Sequence, residues 1–187
     1  TYENVYLNQL GLHNILNALC AIAMADQIGV FTENSIKALT TFPGVQRRMN
    51  LMKYGDAIII DDYAHHPREI ENVLNTLKGF YPEHKNCVIF QPHLFSRTQD
   101  FMNEFALVLS EFDEVVLLDI YPARELPISG ISAQVLLDKL NHSNKKLILK
   151  SAIKESIDNS NAGLFAFLGA GDIGLEVEKL KINFTAA

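Results

Sequence analysis

The chain has 187 residues, with 16 Lys and Arg against 22 Asp and Glu, a net charge of −6, and 48% hydrophobic residues. That length fits one domain, or one domain with a piece of another, and 20% charged residues with 10 Gly and 6 Pro exclude long disorder, collagen-like repeats and coiled coil. An acidic balance without a Lys/Arg-rich run argues against a general nucleic-acid binder, and the most apolar helical stretch, the ten residues 16–25, is far short of the roughly 20 that a membrane span needs.

Residues 13–27 carry Ile15, Leu16, Leu19, Ile22 and Ala23 at helical spacing, and Gly29 supplies a left-handed stop. Thr32 is placed to cap a second helix, with Glu33 in its first turn and Ile36 and Leu39 facing inward, and Phe42-Pro43-Gly44 ends it. A domain boundary is expected there, dividing the chain into residues 1–45 and 46–187. Residues 48–54 read as a hairpin strand turning at Tyr54-Gly55-Asp56. After it, apolar strand-like runs at 57–60, 87–90, 115–118, 146–149 and 164–168 alternate with helical patterns at 68–80, 98–109, 132–140 and 153–159. Short apolar strands alternating with helices predict an α/β domain, Rossmann-like, whose mostly parallel sheet has helices on both faces and follows a helical remnant. Cys20 and Cys87 lie in apolar surroundings with no CxxC pair, and read as reduced core thiols suited to a cytoplasmic location.

Ligands of such sheets bind beyond the carboxyl ends of the strands. The chemistry-bearing residues collect there: Asp61-Asp62-Tyr63-Ala64-His65-His66-Pro67 after one strand, Gln91-Pro92-His93 through Ser96-Arg97 after the next, Tyr121-Pro122-Ala123-Arg124-Glu125 after the third and Gly169-Ala170-Gly171-Asp172-Ile173-Gly174 after the last. Asp62, Tyr63 and His65 suit proton transfer or hydroxyl recognition, while His66 can equally cap or pack the helix that Pro67 opens. Arg97 offers a planar fork for a carboxylate or phosphate. Arg124 beside Glu125 is as easily a surface ion pair. The glycine motif follows a strand, but no acidic residue stands about 20 positions on, which excludes a dinucleotide site and leaves a backbone contact to phosphate. His13 and Asn17 share one helix face, where they can cap or bond a base edge.

Together with Gly11-Leu12-His13-Asn14-Ile15-Leu16-Asn17-Ala18 and Gly44-Val45-Gln46-Arg47-Arg48, these segments in this order resemble the Mur ligases of bacterial cell-wall synthesis, over nearly the whole chain. The resemblance implies three domains in the complete enzyme, of which this chain is similar to the third plus the last helices of the central ATPase domain, a fragment not expected to act alone. It implies ATP-dependent ligation of L-alanine to UDP-N-acetylmuramate through an acyl phosphate, with Mg2+ held mainly outside this chain and the remaining domains as partners. By the same resemblance, Tyr63, His65, His93 and Arg97 receive L-alanine, with His65 catalytic. His13, Asn14 and Asn17 face the adenine of ATP, Arg47 lies near the nucleotide, and Asp62 accepts from its ribose. Leu94 departs from a family arginine and leaves Arg97 as the carboxylate's cation. A related ligase that recycles murein tripeptide shares the Asp-Asp and His-His-Pro elements. An unrelated alternative is a metal-dependent hydrolase using Asp61, Asp62, His65, His66 and His93.

Overall fold

The computed structural model describes residues 2, 3 and 5–185. Its elements are α1 (Leu12–Gln27), α2 (Thr32–Thr41), β1 (Asn50–Tyr54), β2 (Ala57–Asp62), α3 (Pro67–Phe80), β3 (Asn86–Phe90), α4 (Phe95–Asp100), α5 (Met102–Leu109), β4 (Glu114–Leu117), α6 (Ala133–Lys139), β5 (Lys145–Leu147), α7 (Ile153–Asp158), β6 (Leu164–Leu168) and α8 (Ile173–Thr185). A single turn of 3-10 helix, Lys150–Ala152, leads into α7.

The sheet has the order β1-β2-β6-β3-β4-β5. β1 and β2 form the expected antiparallel hairpin, with Tyr54 opposite Ala57, and all other pairs are parallel. Side chains alternate across the pleat. Ile60, Val88, Phe90, Val115, Leu117, Ala166 and Leu168 therefore enter one core with α3, α5 and α6, whereas Ile59, Ile89, Val116, Phe165 and Phe167 enter a second with α7 and α8. A strand buried on both faces is apolar throughout, which is why β3 and β6 read as continuous apolar runs.

This winding locates the crevice. The chain leaves β2 and β3 toward the first face and β6 toward the second. Loops diverge where neighbouring strands send their connections to opposite faces, and a ligand enters there. The carboxyl ends of β2, β6 and β3 are that place.

Several local expectations are corrected. The helix expected over 98–109 is two helices that meet at Phe101, whose φ is −112°. The Phe101 ring packs on His66 at 4.5 Å and on Phe105 at 6.4 Å, so tertiary contacts hold the break. Thr32 is the first residue of α2 rather than its cap: Phe31 takes that position without a side-chain hydrogen bond. The strand expected at 146–149 lies one residue earlier and is shorter. α8 follows the glycine motif, beyond the last element read from the sequence. Gly29 does close α1 with a φ of 82°. The apolar residues of that helix, however, are not covered: Ile15, Leu16 and Leu19 are 49%, 53% and 57% exposed. Cys20, on the same helix, is exposed and not a core thiol, while Cys87 is buried in β3.

Candidate active site

The end of β2 is fixed by two buried carboxylates. Each oxygen of Asp62 accepts a main-chain amide, Oδ2 from Met49 and Oδ1 from Ala64, both at 2.8 Å. Asp62 is 4% exposed, and burial pushes its carboxyl above the ordinary range. Its oxygens tie the loop after β2 to Met49, and the ribose role implied by resemblance would have to share those engaged atoms. Asp61 is likewise raised by burial, although Arg47 opposes this from 3.3 Å. Arg47 also donates to the carbonyls of Gly171, at 3.1 Å, and Gly169, and its guanidinium lies 5.0 Å from the centre of the Tyr63 ring. A φ of 57° turns Arg47 toward these partners.

From Tyr63 a ladder of rings runs across the rim. Tyr63 meets His65 edge-on at 5.4 Å, His65 meets His93 at 6.0 Å, and His93 stacks on Tyr121 at 5.6 Å with 17° between planes. Arg97 approaches Nδ1 of His93 at 3.3 Å. Thus Tyr63, His65, His93 and Arg97, drawn from two loops and α4, come together on one edge of the sheet. A guanidinium only donates, so Nδ1 of His93 accepts and the neutral ring carries its proton on Nε2. At His65 the order is reversed. Its Nδ1 faces two acceptors, the Tyr63 carbonyl at 2.9 Å and Glu69 at 3.4 Å, so Nδ1 carries a proton and, in the neutral ring, Nε2 carries the lone pair. Burial first, then the Arg97 charge and, whenever it holds a proton, His65, keep His93 below the usual imidazole range against a pull from Glu125. One neutral imidazole therefore presents a donor beside a cation, and its neighbour presents a base.

Neighbouring groups brace this arrangement. Glu69 accepts from the amides of His65 and His66 at 2.9 and 3.1 Å, while the His66 side chain accepts from Arg68, so His66 caps α3 in a capping box. Glu125 accepts from the amide and hydroxyl of Ser96, which holds its carboxyl below the usual range and anchors the start of α4 to the loop after β4. Gln91, 1% exposed, joins Asp172 at 2.8 Å and the Ile173 amide at 3.0 Å, and Lys150 reaches the same Asp172 at 2.5 Å. Two amides of the glycine motif are occupied within the protein: that of Gly169 donates to the Asp62 carbonyl at 3.3 Å, and that of Ile173 to Gln91. Sequence reasoning did not single out Tyr121, Gln91 or Lys150; the position of Tyr121 and Gln91 at strand ends was the available signal.

His13, Asn14 and Asn17 lie apart from the ladder. They line a cleft of about 550 Å3 between α1 and the loop after α2, with Leu39, Phe42, Val45 and Arg48. Its volume and mixed lining suit a flat heterocycle. The cation on this cleft is Arg48. Arg47 instead lines a second cleft, of about 610 Å3, with Asp61, Gly174 and Glu178, because its guanidinium is drawn to the Asp61 side.

The hydrolase alternative loses its donor set: among the described residues no three or more His, Cys, Asp or Glu come together to hold a metal ion. The sequence signature of the Mur ligase, glutamate ligase domain, matches residues 47–169. The chain belongs to the Mur ligase family. It is 50% identical over 97% of its length to the UDP-N-acetylmuramate--L-alanine ligase of Christiangramia forsetii, covering 40% of that protein, and 51% identical over 91% of its length to that of Flavobacterium psychrophilum, covering 38%. The solved UDP-N-acetylmuramate-alanine ligase of Thermotoga maritima superimposes with a TM-score of 0.78 at 31% identity, over 99% of this chain and 40% of that one. The chain thus spans about two fifths of the length of these Mur ligases. No helix of the described residues is long and apolar enough to cross a membrane.

Proposed function

We propose that this chain is the amino-acid-receiving part of an ATP-dependent ligase that joins L-alanine to UDP-N-acetylmuramate in bacterial peptidoglycan precursor synthesis. Residues 46–187 form its C-terminal domain, and residues 1–45 close the central ATP-binding domain. The observation that carries the reading is the Tyr63–His65–His93–Arg97 ladder in a chain half identical to ligases so named.

An amino acid arrives as a zwitterion. Arg97 receives its carboxylate through the guanidinium fork, and the Nε2–H of His93 adds a neutral donor that does not compete for charge. The lone pair on Nε2 of His65 takes a proton from the ammonium group, which leaves a nucleophilic amine. The amine attacks the carbonyl carbon of the muramoyl phosphate, and the tetrahedral adduct collapses as the carbon–oxygen bond to phosphate breaks, the departing phosphate carrying off the extra proton of the nitrogen. Positioning of the amine against that carbon lowers the barrier by converting an encounter between two solutes into a step within one complex.

ATP supplies the phosphate of that intermediate. The cleft beside His13, Asn14 and Asn17 takes the adenine, with Arg48 in place of Arg47 as the near cation and Arg47 held to the wall of the rim. Mg2+, which phosphoryl transfer needs for charge neutralisation, would be held mainly by the remaining domains, as the family resemblance implies. The reaction runs in the cytoplasm, in keeping with two unpaired cysteines.

The test uses the full-length enzyme with ATP, Mg2+ and UDP-N-acetylmuramate. Phosphate release should depend on L-alanine, and His65→Ala should lower kcat by about a hundredfold, the usual weight of a general base. Turnover that requires murein tripeptide rather than L-alanine would move the chain to the recycling branch, and unchanged kcat in the variant would remove His65 from catalysis.

A further inference from the structure

We propose that Tyr121 is a positioning residue for amino-acid binding: its ring and backbone fix the plane and the tautomer of His93. The proposal rests on the ligase reading only for the identity of the amino acid. The Tyr121 ring lies under the imidazole at 5.6 Å and 17°. Gly171 backs the ring, and a Cβ at Gly171 would come within 2.7 Å of Cγ of Tyr121. The ring is therefore clamped between the β6 loop and His93.

The backbone grips the same residue from both sides. Tyr121 donates its amide to the Pro92 carbonyl at 2.8 Å, and its carbonyl accepts from the Leu94 amide at 2.9 Å, which makes His93 and Tyr121 an isolated parallel bridge. Leu94 is held at a φ of 72°, a left-handed conformation that a non-glycine residue adopts under such restraint. Thr98 completes the restraint by donating its amide and hydroxyl to the Leu94 carbonyl, at 3.1 and 2.7 Å. With backbone and ring fixed, Nδ1 of His93 stays within reach of Arg97 and Nε2–H remains the free donor. The titratable and charged groups that face His93 are Arg97 of α4, His65 of the loop after β2, and Glu125 and Tyr121 of the loop after β4. Without the Tyr121 ring, water reaches the imidazole and the plane is free to turn, so His93 protonates more readily and competes with Arg97 for the site.

Two readouts on the full-length enzyme separate this inference from the ligase reading. Nitrogen NMR of labelled histidine, with no substrate present, should find His93 as the Nε2–H tautomer in the wild type and in Tyr121→Phe. In Tyr121→Ala it should find a mixture that protonates at higher pH. In kinetics, Tyr121→Ala should raise the KM for L-alanine by about fivefold and leave the KM for ATP within about twofold, as expected for the loss of one stacked pair, while Tyr121→Phe restores both. Should Tyr121→Ala fail to fold, Tyr121→Leu keeps the bulk without the planar stack and should show the same direction. An unchanged His93 tautomer and titration in Ala and Leu would overturn the inference, as would an equal loss in Phe. A wild-type enzyme that does not use L-alanine would instead overturn the ligase reading and leave the NMR result to stand by itself.

Discussion

Asp62 shows how a residue type can be legible while its task is not. An acidic pair after an apolar strand reads as reactive chemistry, but the two main-chain donors that engage Asp62, from Met49 and Ala64, belong to turns the sequence does not disclose. Removing the side chain leaves both amides without an acceptor in a buried place. Asp62→Ala should therefore lose about 2–4 kcal/mol of stability by chemical denaturation, since each orphaned group costs about 1–3 kcal/mol, and a loss below about 0.5 kcal/mol would contradict the tie. Asp62→Asn keeps one acceptor and should lose less. The raised carboxyl also fixes a sign. The folded state favours the protonated form, so Asp62 supports stability below the ordinary carboxylate range, and that support is lost as pH rises through the raised value. Tyr63, His65, His93 and Arg97 were legible individually. Their tautomers were not, because the partners that set them, the Tyr63 carbonyl and Arg97, are visible only in the fold.

At the scale of elements, the start of α3 was read well because its capping chemistry is local, whereas the cap expected at Thr32 was not formed. Pro67 and Glu69 announce α3, and His66 completes the box. His66→Ala should destabilise by about 1 kcal/mol, measured by thermal or urea unfolding, and no change would show that the cap contributes nothing. Breaks imposed by distant packing were not read. Helical spacing runs unbroken through Phe101, and only its contact with His66 reveals the break between α4 and α5. α8 carried a usable signal that went unread: Ile173, Val177 and Leu180 stand at spacings of four and three, and all three are buried against the second core. The alternation of apolar strands and helices was enough to foretell the parallel sheet. The insertion of β6 between β2 and β3 was not, although it creates the divergence that opens the crevice.

Across the whole molecule, the α/β part has two filled cores, while α1 presents Leu12, Ile15, Leu16, Leu19 and Met24 uncovered. If residues 1–45 belong to the central ATPase domain, as proposed, the rest of that domain would cover them, in keeping with a chain that spans 40% of its relatives. A thiol reagent should accordingly modify Cys20 in the 187-residue chain and spare Cys87, which is 1% exposed and whose thiol burial pushes far up. In the full-length enzyme Cys20 should be protected at least about tenfold, and equal reactivity in both would refute the coverage of α1. The rim residues Tyr63, His65, His93 and Arg97, in contrast, all lie within this chain, and in the proposed function Arg97 receives the amino-acid carboxylate beside a neutral His93. Steady-state kinetics of Arg97→Ala in the full-length enzyme measure this most directly. The expected result is a KM for L-alanine raised by about ten- to a hundredfold, the weight of a charge-assisted hydrogen bond, with the KM for ATP within about twofold. Equal changes in both, or none in either, would contradict it.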